Sequence, residues 1–330
     1  MSATVAFSAD VLAIDAAAET ARIAEAIRRD VAGTLRRRGA VLGLSGGIDS
    51  SVVAALCVRA LGPRRVLGLL MPEADSSPDS LRLGRLLAEG LGIDTALEDV
   101  APVLAAAGCY RRRDAAIRAV VPEYDERWQS KLVLPDLVGA DRYALFSVVV
   151  RAPDGREQRA RLTAEAYLDV VAATSLKQRV RKMMEYYHAD RLQYAVAGTP
   201  NRLEYALGFF VKNGDGAADL KPIAHLYKSQ VYALARHLAV PEEIQRRPPT
   251  TDTYSLAQSQ EEFYFGLPLA QMDLALYART HGVPPAVAAP ALGLAPAEVE
   301  RVYAAIDRKR QAARRLHLDP LLVEPLEEPS

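Results

Sequence analysis

The sequence predicts an α/β protein built on a doubly wound parallel sheet, with helices on both faces and an inserted β-hairpin region. Three observations predict it. Between residues 40 and 100, short apolar runs alternate with helical stretches, the rhythm of right-handed β-α-β crossovers. A turn with Gly46, Gly47 and three nearby serines joins the first apolar run to its helix. From about residue 109 to 174 the rhythm stops, and a β-rich stretch with an Asp154-Gly155 turn replaces it.

Residues 10–38 read as a helix. Leu12, Ile23, Ala24 and Ile27 recur at roughly helical spacing, and arginines crowd its C-terminal end, where the helix dipole favours them. "AVLGL" (40–44) is a short buried strand. A helix over 51–61 ends at Gly62-Pro63. "RVLGLLMP" (65–72) is a second buried strand, 80–91 a helix, and "DTALEDV" (94–100) a third strand. The stretch 109–174 reads as an insertion, with a hairpin at 142–162 whose strands pair with each other rather than join the main sheet. Trp128 and Tyr143, inside it, read as packing residues. Residues 175–194 form a long helix and "YAVAG" (194–198) a fourth core strand. A helix follows from Lys228 to Leu238, then an aperiodic working loop at 245–268, then two or three closing helices ending near Leu316. Residues 1–320 thus read as one domain with its insertion, and 321–330 as a flexible acidic tail.

Composition excludes several classes. Lys plus Arg and Asp plus Glu both number 41, so the net charge is zero, which argues against a general nucleic-acid binder. The arginine-rich runs at 36–38, 111–113 and 308–315 read as solvated faces. No apolar run reaches the roughly 18 residues of a membrane span, and the N-terminal stretch lacks the basic region of a signal peptide. Two cysteines make no disulfide framework, so a cytoplasmic setting is expected. The five histidines show neither metal spacing nor a Ser/His/Asp order.

The stretch Ser45-Gly46-Gly47-Ile48-Asp49-Ser50-Ser51 carries the chemistry. Glycines let the backbone turn so that N–H groups point inward, and the following helix adds its positive dipole end, which together make an anion site. The common nucleotide loop needs G-x-x-x-x-G-K-[ST]. Here the lysine is missing and an aspartate sits centrally, which suits phosphates only with a metal between.

This loop resembles the pyrophosphate loop of the N-type ATP pyrophosphatases. Further elements are similar to NAD synthetase: Gly198-Thr199-x-Asn201-x-x-Glu204, Lys212-x-Gly214-Asp215-Gly216, Asp219-Leu220-x-Pro222, Leu226-Tyr227-Lys228 and Pro248-Pro249-Thr250. "LMPEADSSPDS" (70–80), "SLKQRVRKMMEYYHADR" (175–191) and "DRKRQ" (307–311) add to the set. The likeness covers nearly everything except 109–174 and both tails. It implies a Rossmann-like fold of the adenine nucleotide alpha hydrolase-like type.

By position, it implies that Gly43, Leu44, Ser45 and Gly46, with Gly47, Ile48, Asp49 and Ser50, bind ATP phosphates. Met71 would receive the adenine, and Thr199, Lys228 and Thr250 would also contact ATP. Asp49 and Glu204 would hold Mg²⁺, and with Lys228 form the catalytic set. Arg179, Lys212, Asp219, Arg308 and Lys309 would bind deamido-NAD, at the interface of a homodimer. Read alone, Glu204 is equally a helix N-terminal acid, and Arg179 and Lys309 are equally surface charges.

The implied reaction is ATP-dependent amidation of deamido-NAD through an acyl adenylate, releasing AMP and pyrophosphate, with ammonia as nitrogen donor. A glutaminase would need a catalytic cysteine and a couple of hundred further residues, so ammonia is expected free or from a separate glutaminase. Two departures bear on the acid. Ser175 stands where the family usually has Asn, and Arg308 where a His often precedes the lysine. They leave open a related amide ligase acting on another carboxylate. A tRNA-modifying relative fits less well, given the zero net charge and the lack of a zinc-type cysteine set.

Overall fold

The computed structural model describes residues 7–133, 146–251 and 253–324. The expected sheet is present. β1 (Ala40–Gly43) follows α1 (Ala16–Arg29) and leads into α2 (Ile48–Leu61). β2 (Val66–Leu70), α3 (Pro78–Leu91) and β3 (Asp94–Leu97) continue the crossover pattern, and α4 (Ala101–Ala106) and α5 (Cys109–Arg118) follow. Next comes a separate group of strands, β4 (Gln129–Val133), β5 (Ser147–Arg151) and β6 (Glu157–Arg161). α6 (Ala164–Leu192) returns the chain to β7 (Ala195–Val196). The remaining helices are α7 (Arg202–Leu207), α8 (Lys228–His237), α9 (Glu242–Arg246), α10 (Leu269–Thr280), α11 (Pro285–Leu292) and α12 (Pro296–Ala313).

The main sheet runs β3-β2-β1-β7, and every pair in it is parallel. Alternation along the strands supplies both of its faces. Leu42, Val66 and Leu70 pack with α1, α2, α3 and α8. Val41, Leu67 and Leu69 pack on the opposite side with Leu192 and Tyr194, at the end of α6. A second apolar core joins α7 to α10, α11 and α12. Among the described residues, no helix is long and apolar enough to cross a membrane.

Three helix boundaries differ from the expectation. Asp15 caps α1 by accepting the N–H groups of Ala17 and Ala18 at 2.9 and 3.0 Å, so the helix starts at Ala16 rather than near residue 10. Leu12 lies in a separate short turn and joins the other core. At its far end α1 relaxes into a wide turn over Asp30–Thr34 and stops before residue 38. The long helix expected at 175–194 begins earlier, at Ala164, capped by Thr163.

The hairpin forms with Arg151 opposite Glu157, and Gly155 takes the left-handed conformation in its turn. Residues 142–145 of the expected hairpin lie outside the described residues. A third strand, β4, pairs antiparallel with β5, so the hairpin belongs to a three-stranded sheet. Its inner face has its own small core: Leu132, Val148 and Val150 against Ile117, Val121 and Tyr124. Trp128 packs edge-on against Tyr124, which agrees with a packing role.

Candidate active site

A cavity of about 770 Å³ opens at the C-terminal edge of the main sheet, where doubly wound folds place ligands. Gly43, Leu44, Ser45, Gly47, Ile48, Asp49 and Ser50 line one end of it. Gly46 shapes the turn instead. Its φ is +71°, and a Cβ there would lie 2.8 Å from the Ser80 carbonyl oxygen. Gly43 admits the Met71 side chain, which a Cβ would meet at 2.9 Å. Hydroxyls close the loop: Ser45 and Ser50 lie 3.1 Å apart, and Ser50 and Ser51 both donate to the Gly47 carbonyl. No side chain caps α2, so the N-terminal N–H groups of this 14-residue helix suit an anion.

Asp49 sits in the first turn of α2 and is held on both oxygens. The Asn201 amide donates to Oδ1 at 3.0 Å, and the Lys228 ammonium pairs with Oδ2. Lys228 is 1% exposed and opens α8. Its backbone N–H and that of Ser229 donate to the buried Asp273 carboxylate at 3.0 and 2.7 Å, which anchors that helix start. Burial pushes Asp273 up to about 6. Lys228 therefore brings a fixed ammonium against the lysine-free loop, at Asp49.

Glu204 has two roles at once. It is the third residue of α7, in a capping box. Asn201 Oδ1 accepts the Leu203 and Glu204 N–H groups, and Glu204 Oε2 accepts the Asn201 N–H at 3.1 Å. Its other oxygen accepts from the Gln260 amide at 3.1 Å. Burial and the Asp49 charge push this carboxyl well above the usual carboxylate range. Such a group ionises readily only beside added positive charge. Among the described residues, no cluster of three or more metal-ligating side chains occurs. Two neighbouring carboxylates, of which only Asp49 is paired with Lys228, would suit a hard cation arriving with phosphate.

Thr199, Thr250 and Met71 line the same cavity. So do Arg179, Lys212 and Lys309, at the other end. Arg179 donates to the Lys212 carbonyl at 3.3 Å, and Lys212 to the carbonyls of Arg315 and Leu318. Lys309 reaches the Tyr264 carbonyl and lies 4.2 Å over that ring. Burial, with Arg308 nearby, lowers it to about 8. Two expected residues stand apart. Asp219 accepts the Val196 N–H at 2.7 Å and the Tyr186 hydroxyl at 3.4 Å, which spends its carboxylate on pinning β7. Arg308 is exposed on α12, away from the cavity lining.

Sequence reasoning missed three contributors. Arg247 lines the cavity and donates to the Gly46 carbonyl and the Ser80 hydroxyl, at 3.4 and 3.1 Å. It precedes the Pro248-Pro249-Thr250 match, the one hint available. Gln260 touches Glu204 from a loop without periodicity. Lys177, 1% exposed at its side chain, joins Glu73 at 2.9 Å, Asp75 at 2.5 Å and the Thr253 carbonyl at 2.7 Å. Arg113 pairs with Asp75 and Asp114 in the same buried network. Lys177 lies two residues before Arg179, and that spacing puts the two side chains on different helix faces.

A family model described as NAD synthase matches residues 19–120 and 153–314. An NH(3)-dependent NAD(+) synthetase of Rhizobium meliloti (strain 1021) is 59% identical over 322 residues, 98% of this chain and 96% of that one. One from Thermotoga maritima is 38% identical over 237 residues, 72% of this chain and 78% of that one. Among solved structures, an NMN synthetase from Francisella tularensis superposes with a TM-score of 0.63 at 20% identity, over 94% of this chain and 99% of that one. An NH3-dependent NAD synthetase from Campylobacter jejuni gives 0.62 at 22% identity, over 94% of this chain and all of that one. These two likenesses concern the fold; the family match and the close relatives carry the assignment. With a family model over most of its length and this degree of identity to curated relatives, the chain belongs to the NAD synthase family.

Proposed function

We infer that the chain amidates deamido-NAD to NAD, using ATP and ammonia. A carboxylate oxygen of deamido-NAD attacks the α-phosphorus of ATP, and the bond to the β-phosphate oxygen breaks. Pyrophosphate leaves and an acyl adenylate forms. Ammonia then adds to the acyl carbon, the bond to AMP breaks, and the proton ammonia loses passes to solvent. The observation that carries this reading is the lysine-free cradle, with Asp49 fixed between Asn201 and Lys228 and facing the phosphate end of the cavity.

A magnesium ion bound with ATP would supply charge neutralisation at the phosphates. Asp49 and Glu204 would hold it. The loop N–H groups, Lys228 and Arg247 stabilise charge on the departing pyrophosphate. Thr199, Thr250 and Met71 contact the rest of ATP, and Arg179, Lys212 and Lys309 the dinucleotide acid. The enzyme works as a homodimer through α6, whose Met183 and Tyr187 are 50% and 59% exposed one helical turn apart. Its buried, unpaired Cys57 and Cys109 suit the cytoplasm. Ammonia arrives free or from a separate glutaminase.

Chromatography of products tests this. With Mg-ATP, deamido-NAD and ammonium, AMP and pyrophosphate should appear in step with NAD, and glutamine should not replace ammonium. ADP and phosphate as the main products would refute it.

A further inference from the structure

Residues 121–152 lie outside the family match, yet they hold β4 and β5. The outer edge of β4 is occupied by the loop after α9. The Leu256 N–H donates to the Ser130 carbonyl at 3.2 Å, and the Ser130 N–H to the Ser255 hydroxyl at 2.9 Å. Two residues on, the Gln258 amide donates to the Leu132 carbonyl. Alternate residues of one strand edge thus hold the loop, through one main-chain and two side-chain hydrogen bonds. Gln129 donates to the Ser255 carbonyl at 3.1 Å, and Lys131 pairs with Glu262 at 2.7 Å. Tyr254, buried, packs into the insertion's own core.

The other side of this loop meets the reaction site. Thr250 bridges Ser259, and the Gln260 N–H donates to the Pro249 carbonyl at 3.0 Å. Thr250, Thr253 and Gln260 line the cavity, and Gln260 holds Glu204. A loop of this length with so little internal structure has few contacts of its own to order it. Here an edge strand does that work.

We propose that the inserted sheet is a brace that orders residues 249–251 and 253–260 before nucleotide arrives, with Ser130 and Gln258 as positioning residues for Thr250 and Gln260. The sheet adds no group to the chemistry. It removes the entropy cost of ordering the loop from the ATP-binding step. The proposal takes the reaction from the reading above, but its test does not need turnover.

The test uses the full chain without nucleotide. Amide hydrogen exchange should show Leu256 and its neighbours protected in the wild type. Gln258→Leu, which keeps the volume and removes the donor, should speed that exchange at least about tenfold. Calorimetry should show the ATP Kd raised by a similar factor, since binding must then order the loop. In turnover the loss should fall on KM for ATP and be recovered at high ATP. Ser255→Ala, which removes a single acceptor, repeats the test with less risk to folding and should move both readouts the same way. Unprotected amides at 253–258 in the nucleotide-free wild type would overturn the proposal. So would faster exchange in the variants with an unchanged ATP Kd. A chain that behaves as expected here but makes no NAD would fail the functional reading alone.

Discussion

At the phosphate end of the cavity, Asp49 is paired with Lys228, and Glu204 lies between two hydrogen-bond donors. At the acid end, Lys309, Lys212 and Arg179 reach main-chain carbonyls, and among the described residues none forms an ion pair. The first end balances its charges internally. The second carries uncompensated positive charge and is complementary to an anion as it stands. One cavity thus keeps its charged groups in two different states.

The comparison predicts opposite effects on stability. The largest change is expected at the paired end. Asp49→Asn should lower kcat at least about a hundredfold. It should also cost about 3–5 kcal/mol of stability, because it leaves the buried Lys228 uncompensated. Adding Lys228→Met should restore stability but not activity. Urea denaturation and steady-state kinetics check both, and an Asp49→Asn chain of unchanged stability would break the comparison.

At the unpaired end, Lys309→Met should leave stability unchanged or raise it, while KM for deamido-NAD rises about tenfold and KM for ATP holds. The pH dependence sharpens this. Lys309 is lowered from 10.5 to about 8 in the fold, so between those values the unfolded chain binds more protons. Wild-type stability relative to Lys309→Met should therefore rise as pH increases from about 8 to 10.5, with the full cost present below pH 8. Urea midpoints for both proteins at several pH values give the answer, and a difference that falls with pH would be the wrong sign.

A smaller effect is expected outside the cavity. Met183→Glu with Tyr187→Glu places charge on the exposed turn of α6. Light scattering should show a dimer converted to monomer, with a modest rise in KM for deamido-NAD and none for ATP. A wild-type monomer with full activity would refute the homodimer.

Much of this was legible from residues alone. The strands at 40–44 and 65–72 announce themselves as apolar runs between glycine-rich breaks, and the cradle follows because only such a turn aims N–H groups at an anion. The start of α1 was misread although its cap, Asp15, is in plain sight, because Leu12 kept an apparent helical spacing. Asp219 matched the family pattern, but its carboxylate points at the backbone of β7. Gln260 and Lys177 gave no periodic signal, since neither role depends on a local repeat.

By itself the sequence determined the alternation of strands and helices and the glycine- and serine-rich turn after β1, because these depend on local backbone chemistry and apolar alternation. Tertiary structure alone decided which charges meet. Lys228 faces Asp49 across 179 positions of chain, Gln258 reaches Leu132 across 126, and Gln260 reaches Glu204 across 56. Such pairings are set by how the helices and the inserted sheet pack, and a buried charge or amide takes whichever partner that packing brings within hydrogen-bond distance.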